Sequence, residues 1–164
     1  MTVTAESLIT TQVARFVDRR GDWDAFADAR VDGYRRAQHR FIGSGASGKA
    51  DANVIPADHF TLSIMFVPVG QGNAAHTHEV EEVFFILHGK VLVFFEDEAG
   101  RRAEATLGAW DCVSCPAGVM HGYQNVGLEP AYLQVMLGKA RPDLMSYQDA
   151  ALQQRRDAHL VTPA

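Results

Sequence analysis

Two histidines and a glutamate lie close together near the middle of the chain, in the stretch HTHEVEEVFFILHG at residues 76–89. Residues two apart on a β-strand face the same side, so His76 and His78 can turn their imidazole rings into one cavity. Glu82 is four residues beyond His78, about 13 Å away in a straight strand, whereas metal–ligand bonds are only about 2.0–2.2 Å long. The spacing therefore predicts a turn after His78, with Glu82 opening the next strand.

A third histidine, His121, follows a Pro-x-Gly turn signal in the stretch PAGVMHGYQN. A turn at this point would return the chain into the sheet and bring His121 to the same cavity. Imidazole nitrogens with one carboxylate suit iron(II), manganese, nickel, cobalt or zinc, whereas the hard glutamate oxygen disfavours copper(I). The sequence therefore predicts one divalent metal ion bound by His76, His78, Glu82 and His121.

The elements that must position these ligands change in character twice along the chain. The first 40 residues carry spaced apolar side chains among charges, a pattern typical of amphipathic helices. Short apolar runs broken by Gly, Pro, Asn and Asp then predict a succession of β-strands, and helical spacing returns after Pro142. We predict a helical N-terminal arm at residues 1–40, an all-β core at 41–140, either a barrel or a sandwich, and a C-terminal helix at 141–164 packed on the same domain.

Length and charge exclude several classes of function. The chain has 164 residues, which suits one domain, and its net charge of -5 without a Lys/Arg run argues against nucleic-acid binding. The sequence contains no apolar run of about 18 residues and no basic segment followed by an apolar one at its start. We therefore expect a cytoplasmic protein that is not bound to a membrane.

The spacing of the candidate ligands resembles that of a known superfamily. Gly70, His76, His78, Glu82 and Gly89 fit G-x5-H-x-H-x3-E-x6-G, and Pro116, Gly118, His121 and Asn125 fit P-x-G-x2-H-x3-N. These spacings resemble the two motifs of the cupins. The resemblance implies a mainly β fold, a single double-stranded β-helix or jelly-roll barrel. One departure is Trp110, which stands before Asp111 where cupins often have glycine.

Both cysteines of the chain, Cys112 and Cys115, lie in the strand that leads to the His121 turn. Strand alternation directs one thiol into the barrel and the other away from it. Both could be inert, as buried cysteines often are, but a nearby metal ion would lower a thiol pKa and favour a nucleophilic thiolate. Cys115 directly precedes the turn that delivers His121, so we expect it, rather than Cys112, to be the catalytic thiol.

A narrower resemblance is to the 1-methylthio-xylulose 5-phosphate methylsulfurylases of methylthioadenosine salvage, because the chain combines this length, terminal helices and thiols beside the second motif. This resemblance implies manganese as the metal and removal of the methylthio group to give 1-deoxyxylulose 5-phosphate. It also implies an external thiol such as glutathione as co-substrate. An arginine should bind the phosphate by a bidentate contact, with Arg36 and Arg40 as candidates.

Two other functions remain open from the sequence. A metal-dependent sugar-phosphate isomerase or dioxygenase would need the four metal ligands and neither cysteine. A non-catalytic sugar-binding cupin would bind a ligand without turnover, because the cupin fold does not by itself determine a reaction. We expect a homodimer in each case, since two-fold dimers are the commonest assemblies.

Overall fold

The computed structural model describes residues 4–49 and 51–159, which form two five-stranded antiparallel sheets. The strands are β1 (Ala37–Ile42), β2 (Thr61–Val67), β3 (His76–Thr77), β4 (Glu82–His88), β5 (Val91–Glu96), β6 (Arg102–Leu107), β7 (Cys112–Cys115), β8 (Met120–Asn125), β9 (Ala131–Leu137) and β10 (Ser146–Tyr147). One sheet has the order β1-β2-β9-β4-β7 and the other β10-β3-β8-β5-β6. Side chains of both sheets pack into one core, which confirms the predicted jelly-roll barrel.

Alternation along the central strands determines which side chains enter the barrel. In β2 and β9 every second residue is buried, and Phe84 and Ile86 of β4 are almost completely buried in the same way. The period of two is that of a strand with one face on the core. At the start of β2 the inward positions are held by Thr61 and Ser63 rather than by apolar residues. The barrel interior is therefore polar at this end.

The N-terminal segment contains much less helix than its residue pattern predicts. Helix α1 spans Ala5–Gln12, and a 3-10 turn follows at Phe16–Asp18. The predicted helical arm is wrong beyond these two elements, because residues 19–36 form turns and β1 already begins at Ala37. Residues 1–3 lie outside the described residues.

Local hydrogen bonds explain why the helix does not continue. The Asp22 side chain accepts a hydrogen bond from the backbone N–H of Asp24 at 2.9 Å, an alternative to helical bonding that aspartate often provides. Further on, the backbone N–H of Ala29 donates to the Phe26 carbonyl and that of Tyr34 to the Val31 carbonyl. Each of these bonds joins residues three apart and closes a single turn. Apolar residues are therefore buried once per turn, which is close to the spacing of a helix.

The C-terminal segment returns to the barrel before its helix begins. Strand β10 pairs with β3, opposite His76 and Thr77, and α2 (Ala150–His159) follows with Leu152 buried in the core. A helix is therefore present within the predicted range 141–164, of which residues 160–164 lie outside the described residues. Neither described helix has the length and apolar character needed to cross a membrane.

Candidate metal centre

Four elements deliver the predicted metal ligands to one point inside the barrel. His76 of β3 lies directly opposite His121 of β8 in the sheet register, and Glu82 is the first residue of β4. His78 follows β3, and the chain then turns at residues 79–81, which confirms the predicted turn before Glu82. The backbone N–H of Gly118 donates to the His78 carbonyl at 2.8 Å, so the two motifs are joined directly.

The ligand atoms converge on one carboxylate oxygen. The Nε2 atoms of His76 and His78 each lie 3.3 Å from Glu82 Oε2, and His121 Nε2 lies 2.9 Å from it. All four side chains are buried, and their ligand atoms lie within 4.8 Å of one another. The sequence prediction of this four-residue cluster is therefore matched by the geometry.

Backbone carbonyls determine how two of the imidazole rings are oriented. The Nδ1 atom of His76 lies 2.9 Å from the Ala74 carbonyl oxygen, and that of His121 lies 2.8 Å from the Val119 carbonyl oxygen. A carbonyl oxygen only accepts hydrogen bonds, so each Nδ1 carries a proton, and a neutral ring in this tautomer presents its Nε2 lone pair to a metal ion. Metal-binding histidines are commonly held in this tautomer.

The surroundings of Glu82 fit a bound cation. Burial lowers the pKa of His76 to about 4, although its contact with Glu82 opposes that shift, so the ring is neutral and has one N–H. Burial alone would raise the pKa of Glu82, but the surrounding histidines hold it well below its ordinary value. Both ring nitrogens of His78 are buried and have no hydrogen-bond partner among the residues that the structure describes. A divalent cation bound by the three Nε2 atoms and the Glu82 carboxylate would fit this arrangement.

A small cavity adjoins this cluster. It measures about 20 Å³ as the volume open to the centres of water molecules, roughly enough for one or two waters. His76 and Glu82 form part of its wall, which also contains apolar side chains such as Phe84 and Leu137. Its remaining polar residues are Arg36, Gln38, Thr61, Ser63, Asn73 and Tyr123.

Arg36 lines this cavity, but an aspartate neutralises its charge. Two guanidinium nitrogens each donate to Asp28 at 2.9 Å, and both side chains are almost completely buried. Burial by itself would lower the pKa of Arg36, but the charge of Asp28 raises it on balance. Arg36 therefore lies where a substrate could contact it, although it brings no unpaired positive charge.

Arg40 is not among the cavity-lining residues. Its Nη2 donates to Asp22 at 2.6 Å and its Nε to Ser47 Oγ at 3.3 Å. Ser47 belongs to a buried 3-10 turn, Gly45–Ser47, whose Gly45 and Ala46 do line the cavity. Of the two arginines predicted to bind phosphate, only Arg36 adjoins the metal centre.

The two thiols face opposite sides of β7, as alternation predicts. Cys115 pairs with Glu82 across the sheet, and both face inward, whereas Cys112 pairs with the outward-facing Phe85. Cys115 is 2% exposed, and burial together with the charge of Glu82 raises its pKa. Cys112 is exposed. The inward thiol is therefore beside the metal cluster, but it is protonated in the absence of a cation and is not among the cavity-lining residues.

The sequence did not indicate the buried residues that hold the candidate metal ligands in position. Asp28 accepts hydrogen bonds from the Ala74 backbone N–H at 3.0 Å and from Tyr147 Oη at 2.9 Å, in addition to those from Arg36. Because Ala74 also holds His76, Asp28 connects the metal cluster to the C-terminal strand. Nothing in the local sequence indicates these contacts, which span up to 119 residues. By contrast, polar residues at inward positions of β2 could have indicated Ser63.

Comparison with known proteins agrees with this geometry. The family model described as a cupin domain matches residues 63–137, which include all four candidate ligands. This match covers 75 of the 164 residues of the chain. Comparison with functionally curated proteins finds no significant match.

Solved structures of the same fold include enzymes that act on oxalate. An oxalate decarboxylase from Lactobacillus farciminis in a formate complex has a TM-score of 0.59 and 18% identity, over 79% of this chain and 33% of that one. A structure of oxalate oxidase has a TM-score of 0.61 and 17% identity, over 84% and 64%. Oxalate decarboxylase from Bacillus subtilis gives 0.56 and 18%, over 77% and 28%. This chain therefore spans less than two thirds of each of these proteins, and the likeness concerns the fold.

Proposed function

We propose that this cupin is a metal-dependent enzyme that acts on a small oxygen-rich substrate. The observation that carries the proposal is the convergence of three imidazole Nε2 atoms on Glu82 Oε2 beside a buried cavity. A divalent ion held there would supply Lewis acidity toward a carbonyl or hydroxyl oxygen of the substrate. Manganese is the metal we expect, with iron(II), cobalt, nickel and zinc as alternatives.

The chain's own residues prepare the site for such chemistry. The carbonyls of Ala74 and Val119 fix the rings of His76 and His121. The Nε2 atoms of both rings therefore already face the metal position before a metal ion binds. Apolar side chains such as Phe84 and Leu137 form part of the wall of this small, buried cavity. Charges interact more strongly in such a low-dielectric space than in solvent.

For the reaction, we propose removal of the methylthio group from 1-methylthio-xylulose 5-phosphate. The inward position of Cys115 opposite Glu82 supports this choice. The Cys115 thiolate would attack the substrate sulfur, the bond from that sulfur to the sugar carbon would break, and the electron pair would remain on the carbon as an enolate. Protonation of that carbon gives 1-deoxyxylulose 5-phosphate. A thiol such as glutathione would then take the methylthio group from the mixed disulfide and restore the Cys115 thiol.

A second candidate is a sugar-phosphate isomerase or a dioxygenase that does not use the thiols. The burial of Cys115, its raised pKa and its position outside the cavity wall support this alternative. Of these two reactions the small cavity favours the dioxygenase, because a sugar phosphate is much larger than the cavity.

Metal analysis tests the proposal common to both candidates. We expect about one divalent ion per chain in the wild-type protein, and its loss in His78→Ala and His121→Ala. His39→Ala is the matched control, because His39 lies on β1 against Phe16 and away from the cluster. Undiminished metal in both ligand variants would refute the site, and a metal-free wild-type protein would favour the non-catalytic sugar-binding alternative.

Turnover distinguishes the two reactions. Phosphorylated ketoses, including the methylthio substrate, should be assayed with and without manganese and glutathione. If Cys115 is the nucleophile, Cys115→Ser loses most turnover while retaining metal, and Cys112→Ser does not. Mass spectrometry without added thiol should then find a methylthio adduct on Cys115. Full activity in the double serine variant would remove the thiol reaction and leave the isomerase or dioxygenase.

A further inference from the structure

The charges inside the barrel limit the charge of a ligand. Among the described residues, Arg36 is the one cationic side chain that lines the cavity, and Asp28 already balances it. Histidines bind metal in the neutral form, so Glu82 contributes the one other charge of the cluster. With a divalent ion bound, the interior carries a net charge of about +1. The cavity therefore compensates one negative charge, and a second would be buried without a partner.

Gln38 supplies a hydrogen-bond acceptor that is unused in the cavity wall. Its side chain is 1% exposed and lines the cavity, and its Nε2 donates to Ser63 Oγ at 3.5 Å. Its Oε1 is buried and has no hydrogen-bond partner among the described residues. Buried polar atoms are rarely left unpaired, because each lost hydrogen bond is costly. A hydroxyl group of a ligand would satisfy this carbonyl by donating a hydrogen bond to it. A carboxylate oxygen in the same place would be repelled, because both groups only accept hydrogen bonds.

We infer that the cavity selects a small ligand that carries a hydroxyl group and no more than one negative charge, with Gln38 Oε1 accepting the hydroxyl proton. This inference rests on the proposed metal-dependent function and specifies its substrate class, a hydroxy acid or hydroxycarbonyl compound. A compact dianion such as oxalate does not meet either condition. The phosphate of a phosphorylated ketose would have to remain outside the cavity, since no unpaired cation among the described residues lines it.

Ligand binding to cobalt(II)-loaded protein tests the inference without an activity assay. Visible absorption of the bound cobalt would report titrations with glycolate, which has a hydroxyl and one charge, acetate, which lacks the hydroxyl, and oxalate, which has two charges. The decisive variant is Gln38→Leu, and Gln38→Met serves in its place if the leucine variant does not fold. The matched control is Gln134→Leu, because Gln134 lies on the outward face of β9.

We expect the preference for glycolate over acetate to fall about tenfold in Gln38→Leu, the effect of one buried neutral hydrogen bond, and to stay unchanged in Gln134→Leu. Oxalate should bind less tightly than glycolate, or remove the cobalt without forming a ternary complex. An unchanged preference in Gln38→Leu, or an oxalate ternary complex tighter than that of glycolate, would overturn the inference. A wild-type protein that does not bind cobalt would instead refute the metal centre itself.

Discussion

At the scale of single residues, the two thiols differ in exposure far more than their closeness in sequence suggests. Cys115 is buried and its pKa is raised, whereas Cys112 is exposed on the outward face of β7. Because thiolate formation and access both govern thiol reactivity, we expect one fast-reacting thiol in the native, metal-free protein. Ellman's reagent should titrate one thiol quickly and the second only after unfolding.

Single-cysteine variants assign these two phases. Cys112→Ser should abolish the fast phase and leave the slow one, while Cys115→Ser should leave the fast phase intact. A fast phase that survives in Cys112→Ser would mean that Cys115 is accessible. That result would also strengthen its proposed role as the nucleophile.

The buried histidine His76 makes the stability of the metal-free protein depend on pH. Burial lowers the pKa of His76 to about 4, whereas an unfolded histidine has a pKa of about 6.5. Between these values the unfolded chain binds a proton that the native protein does not, so the free energy of unfolding falls as pH is lowered from about 6.5 to 4. The depressed pKa of Glu82 acts in the same direction, below the ordinary pKa of glutamate.

Urea unfolding of the metal-free protein at several pH values between 7.5 and 4.5 measures this dependence. His76→Gln should flatten the pH profile, because glutamine does not titrate, while His59→Gln should leave the profile as in the wild type. A profile that is independent of pH in the wild type would contradict the buried, neutral state of His76.

At the scale of elements, the turn between β6 and β7 adopts the conformation expected for glycine although it contains tryptophan. Trp110 has a φ of +75° and is 75% exposed, with its ring 6.3 Å from that of Phe85. Its backbone N–H donates to the Ile86 carbonyl and the Asp111 carbonyl accepts from the Ile86 N–H, which holds the turn against β4. These hydrogen bonds keep the left-handed conformation despite the Cβ atom, which disfavours it.

A pair of substitutions separates this backbone strain from the indole contacts. Trp110→Gly and Trp110→Ala both remove the indole ring, but only glycine removes the Cβ atom. We expect the glycine variant to be more stable to urea unfolding than the alanine variant by about 1 kcal/mol. Equal stability of the two variants would show that the turn carries no such strain.

At the scale of the whole molecule, Asp28 connects the segment before β1 and strand β10 to the candidate metal centre. Its carboxylate accepts from Arg36, from Tyr147 of β10 and from the Ala74 backbone, and Ala74 in turn holds His76. Removing one partner of a buried ion pair leaves an uncompensated charge and costs about 3–5 kcal/mol. We therefore expect Asp28→Asn to lower the free energy of unfolding by about that amount, and Tyr147→Phe by about 1 kcal/mol.

A double-mutant cycle checks that the pair acts as a unit. Asp28→Asn with Arg36→Met should cost less than the sum of the single substitutions, because the double variant buries no isolated charge. Additive costs would mean that the two side chains are not coupled. Metal affinity measured in Asp28→Asn would also show whether the position of His76 depends on this hydrogen-bond network.

The homodimer expected from the sequence stays a prediction. The apolar side chains Leu8 and Ile9 of α1 and Val17 after it are exposed in the single chain. Sedimentation analysis would measure the oligomeric state, and Ile9→Ser would test whether α1 contributes to an interface. A monomeric wild-type protein would contradict the prediction.

The sequence by itself determined the metal ligands and the inward orientation of one thiol. These features depend on short spacings: two residues on a strand, a turn between His78 and Glu82, and alternation along β7. A strand fixes side-chain direction with a period of two, so such local patterns translate directly into geometry. The resemblance to the two cupin motifs then predicted the barrel, because each motif indicates where strands and turns fall.

Only the tertiary structure decided which charges and polar groups accompany the metal centre. The sequence indicated Arg36 as a phosphate ligand, but folding places Asp28 against it and neutralises its charge. The helical arm predicted up to residue 40 is present only as α1 and the 3-10 turn that follows it, whereas Phe26 is buried by a segment of turns. The unpaired Gln38 carbonyl likewise depends on which residues from distant segments surround it. Long-range packing determines such partners, and no spacing within one segment encodes it.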